Sequence, residues 1–197
     1  MTTQPALDAD TDLTTTPGPV HTPSPVRSAV RRFVLVNDPR LVGPLVAQVR
    51  DDLLAVGMCD RHAATRVGIA LEEAILNAVY HGNLEISSKL KENGDGPFLA
   101  MAAARRAVEP YASRRVRVLS RITKQKATFV ITDEGPGFDV SALPDPTDPA
   151  NLELPSGRGV LFMRTFMDDV RYNPTGNRVT LVKKREPHGA DARAAAV

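Results

Sequence analysis

The stretch from Asp60 to Asn83 constrains this chain most. Ala63, Val67, Ala70, Leu71, Ala74, Ile75 and Ala78 recur there at helical spacing, forming an apolar stripe that has to be buried. Asp60 stands where a helix wants a capping side chain, and His81-Gly82-Asn83 supplies the stop. A second stripe precedes it: Leu41, Leu45, Val46, Val49, Leu53 and Val56 follow a capping Asp38 and a first-turn Pro39 and end near Gly57. Two amphipathic helices in succession need a common surface to cover.

Alternation elsewhere supplies that surface. From Arg115 to Ile122 one face carries Val116, Val118, Ser120 and Ile122 and the other Arg115, Arg117, Leu119 and Arg121, as in a half-buried strand. Ala127 to Asp133 reads as the next strand, joined through Thr123–Lys126 by a link short enough for an antiparallel hairpin. A strand around Val30 to Val36 comes before the helices. Gly157-Arg158-Gly159 opens a third amphipathic helix running to about Met167, and Val170–Tyr172 with Arg178–Lys184 makes a terminal hairpin. Between residues 84 and 114, KENGDGP reads as a loop and FLAMAAARRAV as a short helix. This order implies an α+β fold: a two-layer sandwich with a mostly antiparallel, mixed sheet and helices on one face. The ordered domain is expected over residues 27–185, with disordered tails at 1–26 and 186–197. The first tail holds five prolines and seven threonines without apolar periodicity.

Several function classes are excluded by composition. Charges of 25 Lys+Arg against 23 Asp+Glu lack the one-signed field of a general nucleic-acid binder. The single cysteine, Cys59, rules out an internal disulfide and a cysteine zinc cluster and suits a reducing compartment, so a cytoplasmic location is expected. No apolar run reaches the length of a membrane span, and the first residues lack the features of a signal peptide.

Three constellations carry chemistry. In LEEAILNAVYHGN, Glu73, Asn77 and His81 stand at i, i+4 and i+8, so a regular helix would present them to one ligand. An amide oxygen at Asn77 suits Mg²⁺ held jointly with substrate phosphates, and Glu73 can accept a proton from an attacking hydroxyl. Taken alone, the motif fits equally well an exposed glutamate followed by helix-end caps. In Asp133-Glu134-Gly135-Pro136-Gly137-Phe138, Asp133 falls on the inward parity of its strand, where a carboxylate needs a partner such as a ligand amino group. Gly135 and Gly137 permit close backbone approach. An ordinary turn is the plain alternative. At Ser156-Gly157-Arg158-Gly159 a helix start offers free amides to an anion, with Arg158 adding charge.

In this order the three constellations resemble the Bergerat-type ATP-binding superfamily, which includes type II topoisomerases, histidine kinases and anti-sigma-factor serine kinases. The family's E-x-x-x-N is matched by Glu73 and Asn77, its D-x-G-x-G by Asp133, Gly135 and Gly137, and its G-x-G by Gly157 and Gly159. Over residues 30–184, EEAILNAVYHGN and SGRGVLFMRTFMD look most like the anti-sigma serine/threonine kinases. The resemblance implies a histidine kinase-like ATPase fold with ATP and Mg²⁺ as cofactors. Asp133 would take the adenine amino group, with Gly135, Gly137 and Phe138 around the purine. Asn77 would hold the metal and Glu73 would be the base. His81, Gly157, Arg158 and Gly159 would lie near the nucleotide, and Thr180 would support the adenine through its hydroxyl. The proline-rich stretch 139–156 would be the lid. An antagonist protein and a sigma factor are the implied partners, with neither direct nucleic-acid contact nor a membrane span, and with a homodimer as an option. The 84–114 insert departs from the family's short link, and Arg158 is the substitute for the phosphate-facing lysines of some branches. The rivals are a non-catalytic, ATP-dependent partner-binding module and a detached histidine-kinase catalytic domain.

Two further features have plain explanations. Eight basic residues against Glu109 between Arg105 and Lys126 read as a solvated face, with docking of an acidic partner or lipid headgroup as the sharper alternative. Met163 and Met167, together with Leu161, Phe162 and Phe166, read as core in preference to a dimer surface.

Overall fold

The computed structural model describes residues 26–142 and 158–186. Residues 1–25 and 187–197 of the expected tails, Gly157, and residues 143–156 of the expected lid lie outside the described residues.

Five strands form one sheet in the order β1-β2-β3-β5-β4, comprising β1 (Ser28–Leu35), β2 (Val116–Thr123), β3 (Lys126–Thr132), β4 (Asp169–Tyr172) and β5 (Arg178–Lys184). Among the described residues every ladder is antiparallel, in keeping with the expected α+β sandwich. α1 (Val42–Val56) and α2 (Arg61–Asn77) follow β1, α3 (Asp95–Arg106) lies in the insert, and α4 (Arg158–Phe166) precedes β4. α4 returns the chain from β3 to β4, which runs parallel to β3 with β5 between them, so no parallel pair is hydrogen-bonded.

The alternation in β2 decides which face is covered. Val116, Val118, Ser120 and Ile122 are at most 2% exposed, whereas Arg117 and Arg121 face solvent. In register with them, Ala127, Phe129 and Ile131 of β3 and Val179 and Leu181 of β5 complete the inner face. The helices lie on this side only, because Val30 and Val34 on the other parity of β1 are exposed. α2 packs between α1 and α4, with Val67, Ala70, Leu71 and Ile75 fully buried. Burial of each Val, Leu or Ile side chain contributes roughly 1.5–3 kcal/mol, so these rows hold the two layers together. Met163 and Met167 are in the same core, as the helical spacing predicts.

Helix ends follow their local chemistry. Asp38 caps the short 3-10 turn Pro39–Leu41 that leads into α1, and Gly57 closes α1 at φ +69°, a backbone conformation that glycine adopts without a Cβ penalty. Asp60 caps α2 through the Ala63 amide at 2.7 Å. Cys59 is half-buried at this junction, and burial pushes its thiol up from its ordinary value. In the insert, Ser88–Asn93 forms a 3-10 turn and α3 starts at Asp95, inside the segment expected to be loop. Phe98 anchors α3 against Tyr80, with ring centroids 5.0 Å apart.

The end of α2 differs from expectation in a way that matters for the site. The α-helix stops at Asn77 and continues as a six-residue π turn, Ala78–Asn83. A π turn holds more residues per turn, so residues beyond Asn77 leave the stripe that regular i+4 spacing would extend.

Candidate functional site

Asp133 is the first residue past β3 on the inner parity, and the residue is 8% exposed. Its amide donates to Asn177 O at 3.1 Å, which continues the β3–β5 ladder by one pair. The Gly135 amide donates to Oδ1 at 2.9 Å, and among the described residues no side chain donates to the carboxylate. Burial pushes its pKa up from 3.8 to about 6, against the pull of the Gly135 amide and the more distant Arg114 charge. A desolvated carboxylate without a cationic partner is costly, and such groups cluster where a ligand supplies the missing donor.

The turn after Asp133 is held on both sides. The Glu134 amide donates to Asn83 Oδ1 at 2.7 Å. The Glu134 carboxylate accepts from the Arg115 amide at 2.8 Å and from Arg117 Nη1 at 2.5 Å, and these donors, the amide first, hold it below the usual carboxylate range. Gly135 lies directly on the π turn, so that a Cβ there would fall 2.2 Å from Gly82 O. A Cβ on Gly82 would fall 2.4 Å from the Asp133 carboxyl carbon. Gly137 adopts φ +80°, and a Cβ would meet Thr175 O at 1.9 Å. Phe138 is exposed and stands edge-on to Tyr172, with centroids 5.3 Å apart.

The start of α4 meets α2 from the other side. A Cβ on Gly159 would lie 2.6 Å from Glu73 Oε2 and 3.4 Å from Asn77 Nδ2. The missing side chain at Gly159 therefore lets the start of α4 approach the carboxylate and the amide closely. Arg158 opens α4, but its side chain lies outside the described residues, as does Gly157. Asn77 is the last residue of α2, and Gly82 sits against Asp133 in the π turn that continues it. Glu73, Asn77, Gly159, Asp133 and Gly135 thus gather around the end of α2 and the π turn that continues it, whereas Gly137 packs on Thr175 of the β4–β5 turn.

Two expected site residues fall elsewhere. The π turn carries His81 off the Glu73–Asn77 stripe: its Nδ1 lies 2.6 Å from Ile86 O, and its ring meets the edge of Phe98, both in the insert. Thr180 pairs with Val130 and Arg171, the parity opposite to Phe129 and Leu181, and so lies on the sheet face away from the helices. Asn177, paired with Asp133, holds the place on the inner face. Sequence reasoning passed over Gly82, Asn83, Asn37 and Asn177. Alternation through RVTLVKK carried the signal for Thr180 and Asn177, whereas no local pattern announces the other three.

Residues 35–183 match the histidine kinase-like ATPase domain. The chain belongs to that family. No curated protein matches the chain. Membership of the histidine kinase-like ATPase family implies ATP binding, and the five-stranded antiparallel sheet with helices on one face is the corresponding α+β fold. Among the described residues no three His, Cys, Asp or Glu side chains cluster as a metal site. One amide and one carboxylate beside a helix N-terminus fit a hard cation that arrives with its phosphates, as Mg²⁺ does. Among the described residues, no helix is long and apolar enough to cross a membrane.

Proposed function

We propose that this histidine kinase-like ATPase domain binds Mg·ATP and acts as a protein serine/threonine kinase of the anti-sigma-factor type, with a small antagonist protein as substrate and a sigma factor as a second partner. The observation that carries this reading is the seat of Gly159 against Glu73 and Asn77, which puts a proton acceptor and a metal-holding amide beside the N-terminus of α4. Asp133 accepts the adenine amino group, and Gly135 and Gly137 keep the turn flat enough for the ring to approach. Asn77 holds Mg²⁺, which supplies charge neutralisation at the phosphates when bound. Glu73 takes the proton of the substrate hydroxyl as that oxygen bonds to the γ-phosphorus and the bond to the β,γ-bridging oxygen breaks, releasing ADP. Phosphoryl transfer needs mainly positioning and charge neutralisation, so this small residue set suffices.

The two α2 residues separate binding from transfer. Asn77→Ala is expected to lose Mg·ATP binding, measured by calorimetry, whereas Glu73→Ala keeps binding and loses label transfer from γ-labelled ATP to a protein recovered from cell extract. Mapping the label to serine or threonine on that protein supports the kinase. Acid-labile label on histidine points instead to a histidine-kinase catalytic domain. Unchanged nucleotide affinity in both variants contradicts the assignment.

A further inference from the structure

Asn83, the last residue of LEEAILNAVYHGN, is fully buried at 0% exposure and satisfies three separate pieces of the chain. Its Oδ1 accepts the Glu134 amide at 2.7 Å, and its Nδ2 donates to Asn37 Oδ1, also at 2.7 Å. Its main-chain oxygen accepts from Arg114 Nη1 at 2.7 Å. Asn37, 5% exposed, uses its own Nδ2 on Tyr111 O at 2.8 Å and Arg114 O at 3.3 Å, where the insert returns to β2. With both ends of each amide used, neither side chain can flip without leaving a buried donor facing a donor. The Glu134 amide belongs to the peptide that follows Asp133, so the height of the Asp133 carboxylate over the π turn is set through Asn83.

We propose that Asn83, clamped by Asn37, is a positioning residue that fixes the Asp133 turn and thereby sets discrimination for the 6-amino group of the purine. This rests on the nucleotide reading above and adds to it a route by which the insert reports to the base pocket. The readout is the ratio of affinities for ATP and for purine riboside triphosphate, which lacks the amino group. A purely structural asparagine would lower stability and leave that ratio alone.

The experiment measures both affinities by calorimetry for the full chain, for Asn83→Ala and for Asn37→Ala, with amide exchange at Glu134 followed by NMR without nucleotide. Asn83→Ala is expected to reduce the ratio about tenfold, the equivalent of one hydrogen bond to a buried amide, and to speed Glu134 exchange. Asn37→Ala leaves Asn83 unclamped and reduces the ratio in the same direction, which keeps the test alive should Asn83→Ala not fold. An unchanged ratio and exchange rate in a folded Asn83→Ala or Asn37→Ala chain overturns the proposal. Wild-type protein that binds neither triphosphate sinks the nucleotide reading instead, a result distinct from wild-type binding with a ratio that the variants leave untouched.

Discussion

Replacing Gly135 with alanine is expected to cost about 3 kcal/mol of stability and to abolish nucleotide binding in the same step. The added Cβ would sit 2.2 Å from Gly82 O and 2.6 Å from Gly82 C. Both are backbone atoms of the π turn, whose end is fixed by Asn83, so no rotamer change relieves the overlap. The turn has to move, and Asp133 moves with it. Gly159→Ala provides the contrast, because its nearest neighbour is Glu73 Oε2 at 2.6 Å, the far end of a side chain that can give way. Urea unfolding separates them: the Gly135→Ala midpoint falls markedly, while that of Gly159→Ala stays near wild type. Equal midpoints for wild type and Gly135→Ala would show that the two turns do not pack as described.

Asp133→Asn is expected to stabilise the fold and damage the site. In the folded protein the carboxyl titrates at about 6, against 3.8 ordinarily. Above about pH 6 both states are ionised, and the folded one bears the cost of a desolvated charge. As pH falls from 6 towards 3.8 the folded state takes up its proton first, so stability from this group rises as pH falls across that window and the cost is gone below it. The neutral asparagine removes the cost. Its advantage at pH 7.5 is on the order of 1–2 kcal/mol, allowing for the solvent that still reaches the group, and it vanishes by about pH 4. Nucleotide affinity moves the other way. With the asparagine oxygen taken by the Gly135 amide, its Nδ2 faces the ligand, and a donor meets the adenine amino group where an acceptor stood. A fall of about 10- to 100-fold in ATP affinity follows from losing a hydrogen bond to a charged group. Thermal unfolding at several pH values and calorimetry check the two halves. A variant that lost both stability and affinity would contradict the view that this carboxylate is kept for its ligand.

The same contrast explains what could be read in advance. The covered face of β2 and the stripes of α1 and α2 were legible because burial on one side imposes a period on the sequence, and Asp133 stood out by breaking that rule on an inward position. The π turn was hidden because the apolar spacing through Ala78 and Val79 fits a regular helix as well; only the packing of Gly82 on Asp133 requires the wider turn. His81 was misplaced with it. The Asn37–Asn83–Glu134 bridge joins residues far apart in the chain, and asparagines carry no period that would connect them. Thr180 was a different kind of miss. Its buried neighbours Val179 and Leu181 put it on the outer parity of β5, whereas the resemblance implies a place beside the adenine.

The central claim is that the Asp133 carboxylate is reserved for a purine amino group, and one titration tests it most directly. Wild-type protein is titrated with ATP and with purine riboside triphosphate at pH 7.5 and again at pH 5, taking the ratio so that the phosphates' own protonation cancels. The account predicts that ATP binds about 10- to 100-fold more tightly at pH 7.5 and that the preference shrinks at pH 5, where the carboxyl is mostly protonated. Equal affinities at pH 7.5 would contradict it.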